Sequence, residues 1–186
     1  MIYLIRHAES IGNAGAVTTD INYNPLSEKG EQQAVDFAKT IKQRPDLIIM
    51  SPYIRTQQTA KPTIDKFFGV ATEIWPIQEF TYLDRNKCFN TTQAERAIIA
   101  KEYKDRNDPD YIDGDGAESF NQMIDRVDNM LEKLRKIDKD KFVLVFCHGQ
   151  FMKAALMRLN NAEMLPNVLF DNMPNIENTE VIKLEL

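Results

Sequence analysis

Five short runs, Ile2–Ile5, Leu47–Met50, Thr72–Pro76, Phe142–Cys147 and Thr179–Leu186, are apolar or alternating, and helix-length segments separate most of them. That alternation leaves few folds open. Strand, helix and strand in succession predict an α/β protein: a three-layer α/β/α sandwich with a largely parallel central sheet. A chain of 186 residues suits one domain with a substantial core. We read residues 1–186 as that single domain, with 78–118 as a helical and loop cap inserted over the substrate.

The helices announce their starts. Ser27 is an N-cap, followed by an apolar face of Ala34, Phe37, Ala38 and Ile41. Ser51-Pro52 predicts another start, with Ser51 as cap and Pro52 at the first helical position. That helix runs towards Phe68 and Gly69, with Pro62 awkward inside it. Thr92 with Glu95, and Ser119 with Gln122, have capping-box spacing. The first opens a helix over 93–104. The second opens the clearest apolar stripe in the chain, from Phe120 through Val127 and Leu134 to Ile137. Gln150–Arg158 completes the set, with Phe151, Met152, Ala155 and Leu156 inward. Ile11–Pro25 and Asp108–Gly116 are loops.

Composition narrows the function classes. With 23 basic and 28 acidic residues the net charge is −5, which disfavours a general nucleic-acid binder. Cys88 and Cys147 make neither a disulfide framework nor a zinc site, and a reduced cytoplasmic setting fits them. Arg6 interrupts the N-terminal apolar stretch, so no signal peptide is predicted. No run reaches membrane-spanning length. A small molecule is the expected partner, with no nucleic acid and no membrane; oligomeric state is open.

Both of the chain's 2 histidines lie where a predicted strand stops, in Leu4-Ile5-Arg6-His7-Ala8-Glu9-Ser10 and Val145-Phe146-Cys147-His148-Gly149. In parallel sheets ligands collect at such carboxyl ends. A guanidinium fork matches phosphate oxygens, so Arg6 beside His7 points to phosphate. Neighbouring arginines would keep His7 neutral and nucleophilic, able to form a phosphohistidine. His148 would donate to a phosphoryl oxygen, with Gly149 allowing close approach. Arg55, early in a capped helix, would add positive charge; alone it is equally an ordinary surface arginine. Phosphoryl transfer also needs an acid for the leaving oxygen. Glu79 follows the third strand beside Phe80, where partial burial would raise its pKa usefully; Asp84 and Glu118 are rivals.

Together these pieces resemble the histidine phosphatase superfamily, the phosphoglycerate-mutase-like fold. Leu4–Ser10 with Asn13 is similar to its signature, and Asn24-Pro25-Leu26-Ser27-Glu28-Lys29-Gly30 to its next segment. Ser51–Thr56 with Thr59-Ala60, Cys147-His148-Gly149 and Asn178-Thr179 follow in family order. The resemblance implies that His7 is the nucleophile, while Arg6, Arg55 and His148 form the phosphate pocket. It makes Ser10 and Asn13 secondary contacts, Asn13 the better phosphate ligand, and puts Glu79 at the proton donor's place. It implies no metal or organic cofactor.

The chain departs from mutase-like members after Glu79, where Phe80-Thr81-Tyr82-Leu83 replaces a Gly-containing segment. The expectation is therefore a phosphomonoester hydrolase acting on a small phosphorylated metabolite. A phosphoglycerate mutase is the alternative, and a non-catalytic phospho-ligand binding module is the alternative from another class. Within 81–116, Arg85, Lys87, Arg96, Lys101, Lys104 and Arg106 read mainly as a solvated helical face, with room for one or two to meet a second anionic group.

Overall fold

The computed structural model describes residues 1–20 and 23–186, so part of the predicted loop 11–25 lies outside the described residues. Strands β1 (Ile2–Arg6), β2 (Leu47–Met50), β3 (Ala71–Ile74), β4 (Val143–Cys147) and β5 (Val181–Leu184) form one sheet in the order β3-β2-β4-β1-β5. All neighbours are parallel except β1 and β5, which are antiparallel. The inner strands are apolar on both faces, as a sheet covered on both sides requires. The edge strand β3 is exposed throughout, so its sequence carries only a weak strand signal.

Alternation along the strands sorts their side chains into two cores. Ile5, Ile48, Met50, Leu144 and Phe146 face one way, towards Phe37 of α1 (Glu28–Thr40) and Ala60 of α2 (Ile54–Lys66). Leu4, Ile49, Val143 and Val145 face the other way. There they meet the stripe of α5 (Phe120–Arg135) and Phe151, Met152 and Ala155 of α6 (Gly149–Leu159). The three-layer α/β/α sandwich is thus present. Between β3 and α5 the chain forms a short helix α3 (Arg85–Cys88) and the longer α4 (Gln93–Arg106). A π-helical turn, Val168–Asn172, lies on the same side and packs Leu169 into the larger core.

Capping chemistry sets the helix starts. Ser27 accepts from Gly30 N–H, and both predicted capping boxes are formed, Thr92 with Glu95 and Ser119 with Gln122. At Gly30 a Cβ would sit 1.9 Å from the Glu9 carbonyl, so only glycine lets α1 pass this close to the loop after β1. One predicted start is corrected. The helix after β2 begins at Ile54, with Tyr53 as N-cap, and neither Ser51 nor Pro52 takes the expected position. Ser51 Oγ instead accepts from Tyr53 N–H at 3.2 Å and pairs with His148, which delays the helix.

Candidate active site

Strand register brings the two histidines together. Arg6 pairs with Cys147 across adjacent parallel strands, so the next residues, His7 and His148, leave the sheet side by side. Their ring centroids are 5.1 Å apart. On the other flank of β4, Met50 pairs with Phe146, which sets Ser51 beside His148. Ser51 Oγ lies 2.8 Å from His148 Nε2.

The bonds around His7 fix its tautomer. Nδ1 lies 2.7 Å from the Ala8 carbonyl, an acceptor, so Nδ1 carries the proton. Nε2 accepts from Arg55 Nε at 3.2 Å, and a guanidinium can only donate. His7 is thus a neutral imidazole with its Nε2 lone pair facing a cation. Burial pushes its pKa well below 6.5, and Arg55 and Arg6 add to the fall against the opposing Ala8 hydrogen bond. His148 is driven the same way, by burial first and then by Arg55 and His7. It is fully buried, and its Nδ1 has no hydrogen-bond partner among the described residues.

The loops around His7 are tied down from several elements. His7 N–H donates to Cys147 O, Asn178 Nδ2 donates to His7 O, and Thr59 Oγ1 accepts from Ala8 N–H. Arg6 donates through Nη1 to Ile176 O, while its buried Nε has no partner among the described residues. Arg55 lies in the first turn of α2 with its guanidinium carbon 4.9 Å from the Tyr53 ring centroid. Burial pushes its pKa down to about 10, against the pull of Glu79 and Tyr53.

The remaining predicted residues fall into two groups. Ser10 and Asn13 line the cleft and bond each other: Ser10 N–H to Asn13 Oδ1 at 3.3 Å, and Asn13 N–H to Ser10 Oγ at 3.2 Å. Glu79 also lines it. Its Oε1 accepts from the backbone N–H groups of Phe80, Gln150 and Phe151 at 3.1, 3.1 and 3.2 Å, which seats the carboxylate on the N-terminus of α6. The rival carboxylates are occupied elsewhere. Asp84 caps α3 and accepts from Asp115 N–H. Glu118 takes Arg126 through both oxygens, at 2.6 and 3.0 Å.

These residues surround a cleft of about 410 Å³ at the carboxyl ends of β1 and β4. Its far wall comes from 79–104 and Phe170 of the π-helical turn. Of the basic residues singled out in 81–116, Arg96 and Lys104 reach the cleft. Lys87 and Lys101 pair with Asp113 and Asp105, Arg85 lies 3.9 Å from Asp20, and Arg106 stacks on Tyr111. Two contributors were not foreseen. Lys153 of α6 lines the cleft, and Arg126 of α5 donates to Pro76 O and Gln78 O, bracing the segment that carries Glu79. Nothing in the sequence marks Arg126. For Lys153 the signal is a charge among the inward residues of an apolar helix.

The sequence pattern of the histidine phosphatase superfamily (branch 1) matches residues 2–186, and the chain belongs to that family. It is 28% identical over 173 residues to a metal-independent phosphoserine phosphatase of Arabidopsis thaliana, covering 90% of this chain and 72% of that one. Among solved structures, the Entamoeba histolytica phosphoserine phosphatase in complex with 3-phosphoglyceric acid superposes with a TM-score of 0.76 at 22% identity, over 97% of this chain and 87% of that chain. A mycobacterial glucosyl-3-phosphoglycerate phosphatase complexed with VO3 gives 0.75 at 20% identity, over 97% and 88%. At such identities the structures establish the shared fold. No described helix is long and apolar enough to cross a membrane.

Proposed function

We propose that this chain is a phosphoric monoester hydrolase that acts on a small phosphorylated metabolite through a phosphohistidine at His7. The observation that carries the reading is the His7 tautomer, with Nδ1–H held by Ala8 O and the Nε2 lone pair aimed at Arg55 inside an arginine-lined cleft. The phosphoserine and glucosyl-3-phosphoglycerate phosphatases described above agree with it.

In the first step the phosphoryl group enters between His7 Nε2 and the Arg55 guanidinium. Nε2 attacks phosphorus in line, and the P–O ester bond breaks. The departing oxygen takes a proton that Glu79 carries on Oε2 in the substrate complex, since Oε1 accepts the three backbone N–H groups. Arg6 and Arg55 neutralise the phosphoryl oxygens. Ser51 Oγ, already accepting from Tyr53 N–H, turns its hydrogen to His148 Nε2, which leaves a proton on Nδ1. That N–H then donates to a phosphoryl oxygen.

In the second step water attacks phosphorus, Glu79 takes its proton back from that water, and the N–P bond breaks. Phosphate leaves and His7 is neutral again. Ser10 and Asn13 orient the loop that follows His7, with Asn13 nearest in role to a phosphate ligand. Residues 78–118 act as the cap that shapes the leaving-group side.

The test is to quench the enzyme during turnover of a ³²P-labelled monoester and map the label. An acid-labile, alkali-stable label on His7 is expected, together with loss of activity in His7→Ala. A label elsewhere, or full activity in that variant, refutes the mechanism. Adding 3-phosphoglycerate and measuring 2-phosphoglycerate against free phosphate separates hydrolysis from mutase chemistry, and free phosphate is expected.

A further inference from the structure

We infer that Lys153 reads a second anionic group on the substrate, so that the preferred ester carries a carboxylate or second phosphate a short distance from the phosphoryl group. The inference deepens the phosphatase reading and rests on it for what is turned over, but not for what is bound.

Lys153 follows Gly149 by four residues on α6, which sets it on the same helix face one turn later, about 6 Å along the axis. Gly149 itself lies against the phosphate pocket: a Cβ there would stand 3.4 Å from Arg6 Nε. Side chains on a helix lean towards its N-terminus, which turns the Lys153 ammonium back over Gly149. Both residues line the cleft with Arg6, His7 and Glu79.

Lys153 is only 7% exposed. Among the described residues its Nζ donates no hydrogen bond and joins no salt bridge; the charges that act on it are Glu79, Arg6 and Lys104. The contrast with Lys66 is clear, since that ammonium donates to the carbonyls of Ala38 and Ile41. The stem is buried while the ammonium faces the cleft, partly desolvated and with no fixed partner among the described residues; a methionine would fill the stem's place without that cost. An anion that enters the cleft is what would offset that cost.

The charge balance of the cleft points the same way. Among its described lining residues Arg6, Arg55, Arg96, Lys104 and Lys153 face one carboxylate, Glu79. A phosphomonoester dianion matches Arg6 and Arg55. Arg96 is held by Thr91 O and Oγ1, and Lys104 rests on the Phe170 ring at 4.9 Å. Lys153, whose ammonium faces the cleft, is the cation left for a second anion. One helical turn between the two positions suits a linker of roughly two to three carbons.

The experiment compares 3-phosphoglycerate with sn-glycerol 3-phosphate, which differ in having a carboxylate or a hydroxymethyl group. The ratio of their kcat/KM values is expected to fall about tenfold or more in Lys153→Met, through KM, because a charge-assisted contact is lost. Lys153→Arg retains the ratio. Binding is read in parallel from thermal stabilisation by 3-phosphonopropionate against propylphosphonate. The wild type is stabilised more by the carboxylate-bearing probe, and Lys153→Met abolishes the difference. Propane-1,3-bisphosphonate in the same assay tells a phosphate from a carboxylate as the second group. An unchanged ratio, with both esters losing equally, makes Lys153 a ligand of the transferring group or a packing residue and overturns the inference. No Lys153-dependent difference between the probes in the wild type does so as well. A wild type that hydrolyses neither ester but keeps that difference refutes the phosphatase reading and leaves the second-anion site standing.

Discussion

At the scale of the residue, the site runs on neutral imidazoles held beside permanent cations. Two buried histidines whose pKa values are lowered carry a consequence for stability. The unfolded chain protonates each imidazole near 6.5, while the folded chain does not, so protons favour unfolding. The contribution to stability is complete above about pH 6.5 and falls as pH drops towards the folded pKa. The fall reaches at most about 1.4 kcal/mol per histidine per pH unit. Urea unfolding at pH 7.5, 6.5 and 5.5 is expected to show this slope, with His148→Gln reducing it by about half. A wild type equally stable at pH 7.5 and 5.5 would contradict the burial of neutral imidazoles. Protonation of His7 also removes the Nε2 lone pair, so the acid limb of kcat/KM attributed to His7 is expected well below pH 6.5.

At the scale of elements, the placement of Glu79 depends on α5. Arg126 holds Glu118 at one end and the carbonyls of Pro76 and Gln78 at the other, and Glu118 Oε1 accepts from Thr81 N–H. Both partners of the ion pair have only 15% of their side-chain surface exposed. Removing one leaves the other unpaired and largely desolvated, which costs about 3 kcal/mol. Arg126→Met is therefore expected to lower unfolding stability by about that amount. If Glu79 is the proton donor as proposed, the variant also lowers kcat at saturating substrate, because the segment carrying Glu79 loses its brace. Denaturant midpoints and steady-state kinetics check both, and a stable variant with normal kcat would show that the brace is idle.

The same elements show what a sequence makes legible. β1, β2 and β4 are dense apolar runs, and Ser27, Thr92 and Ser119 carry caps whose chemistry is local. Such features are readable because neighbours along the chain satisfy them. Ser51 misled because its hydroxyl serves His148, which is 97 residues away, rather than the next helix. Arg6, His7, Arg55 and His148 could be singled out by residue type and position after strands. Arg126 could not, because it acquires its place from packing, spanning from α5 to a distant loop; Lys153 shows only as a charge among the inward residues of an apolar helix.

At the scale of the whole molecule, a net charge of −5 coexists with a cleft whose described lining has five basic side chains and one carboxylate. Folding buries Arg55 beside His7, and burial pushes its pKa down to about 10, so an anion next to the guanidinium is favoured there. On the proposed function, inorganic phosphate is expected to bind the folded chain and not the unfolded one, and so to stabilise it by mass action. At a concentration of about 100 times Kd the gain is about 2.7 kcal/mol. For a domain of this size that raises Tm by roughly 5–10 °C. Chloride at equal ionic strength is expected to give much less, since a spherical monovalent ion cannot match two guanidinium forks. Because the surrounding surface is acidic, added salt screens both the repulsion of incoming anions and the local attraction of the cleft. The comparison therefore belongs at constant ionic strength. Arg55→Met removes one fork and the cation beside His7, so its phosphate-dependent rise in Tm should largely vanish. A full phosphate response in that variant would place the anion away from His7 and break the link between the anion and this basic cleft.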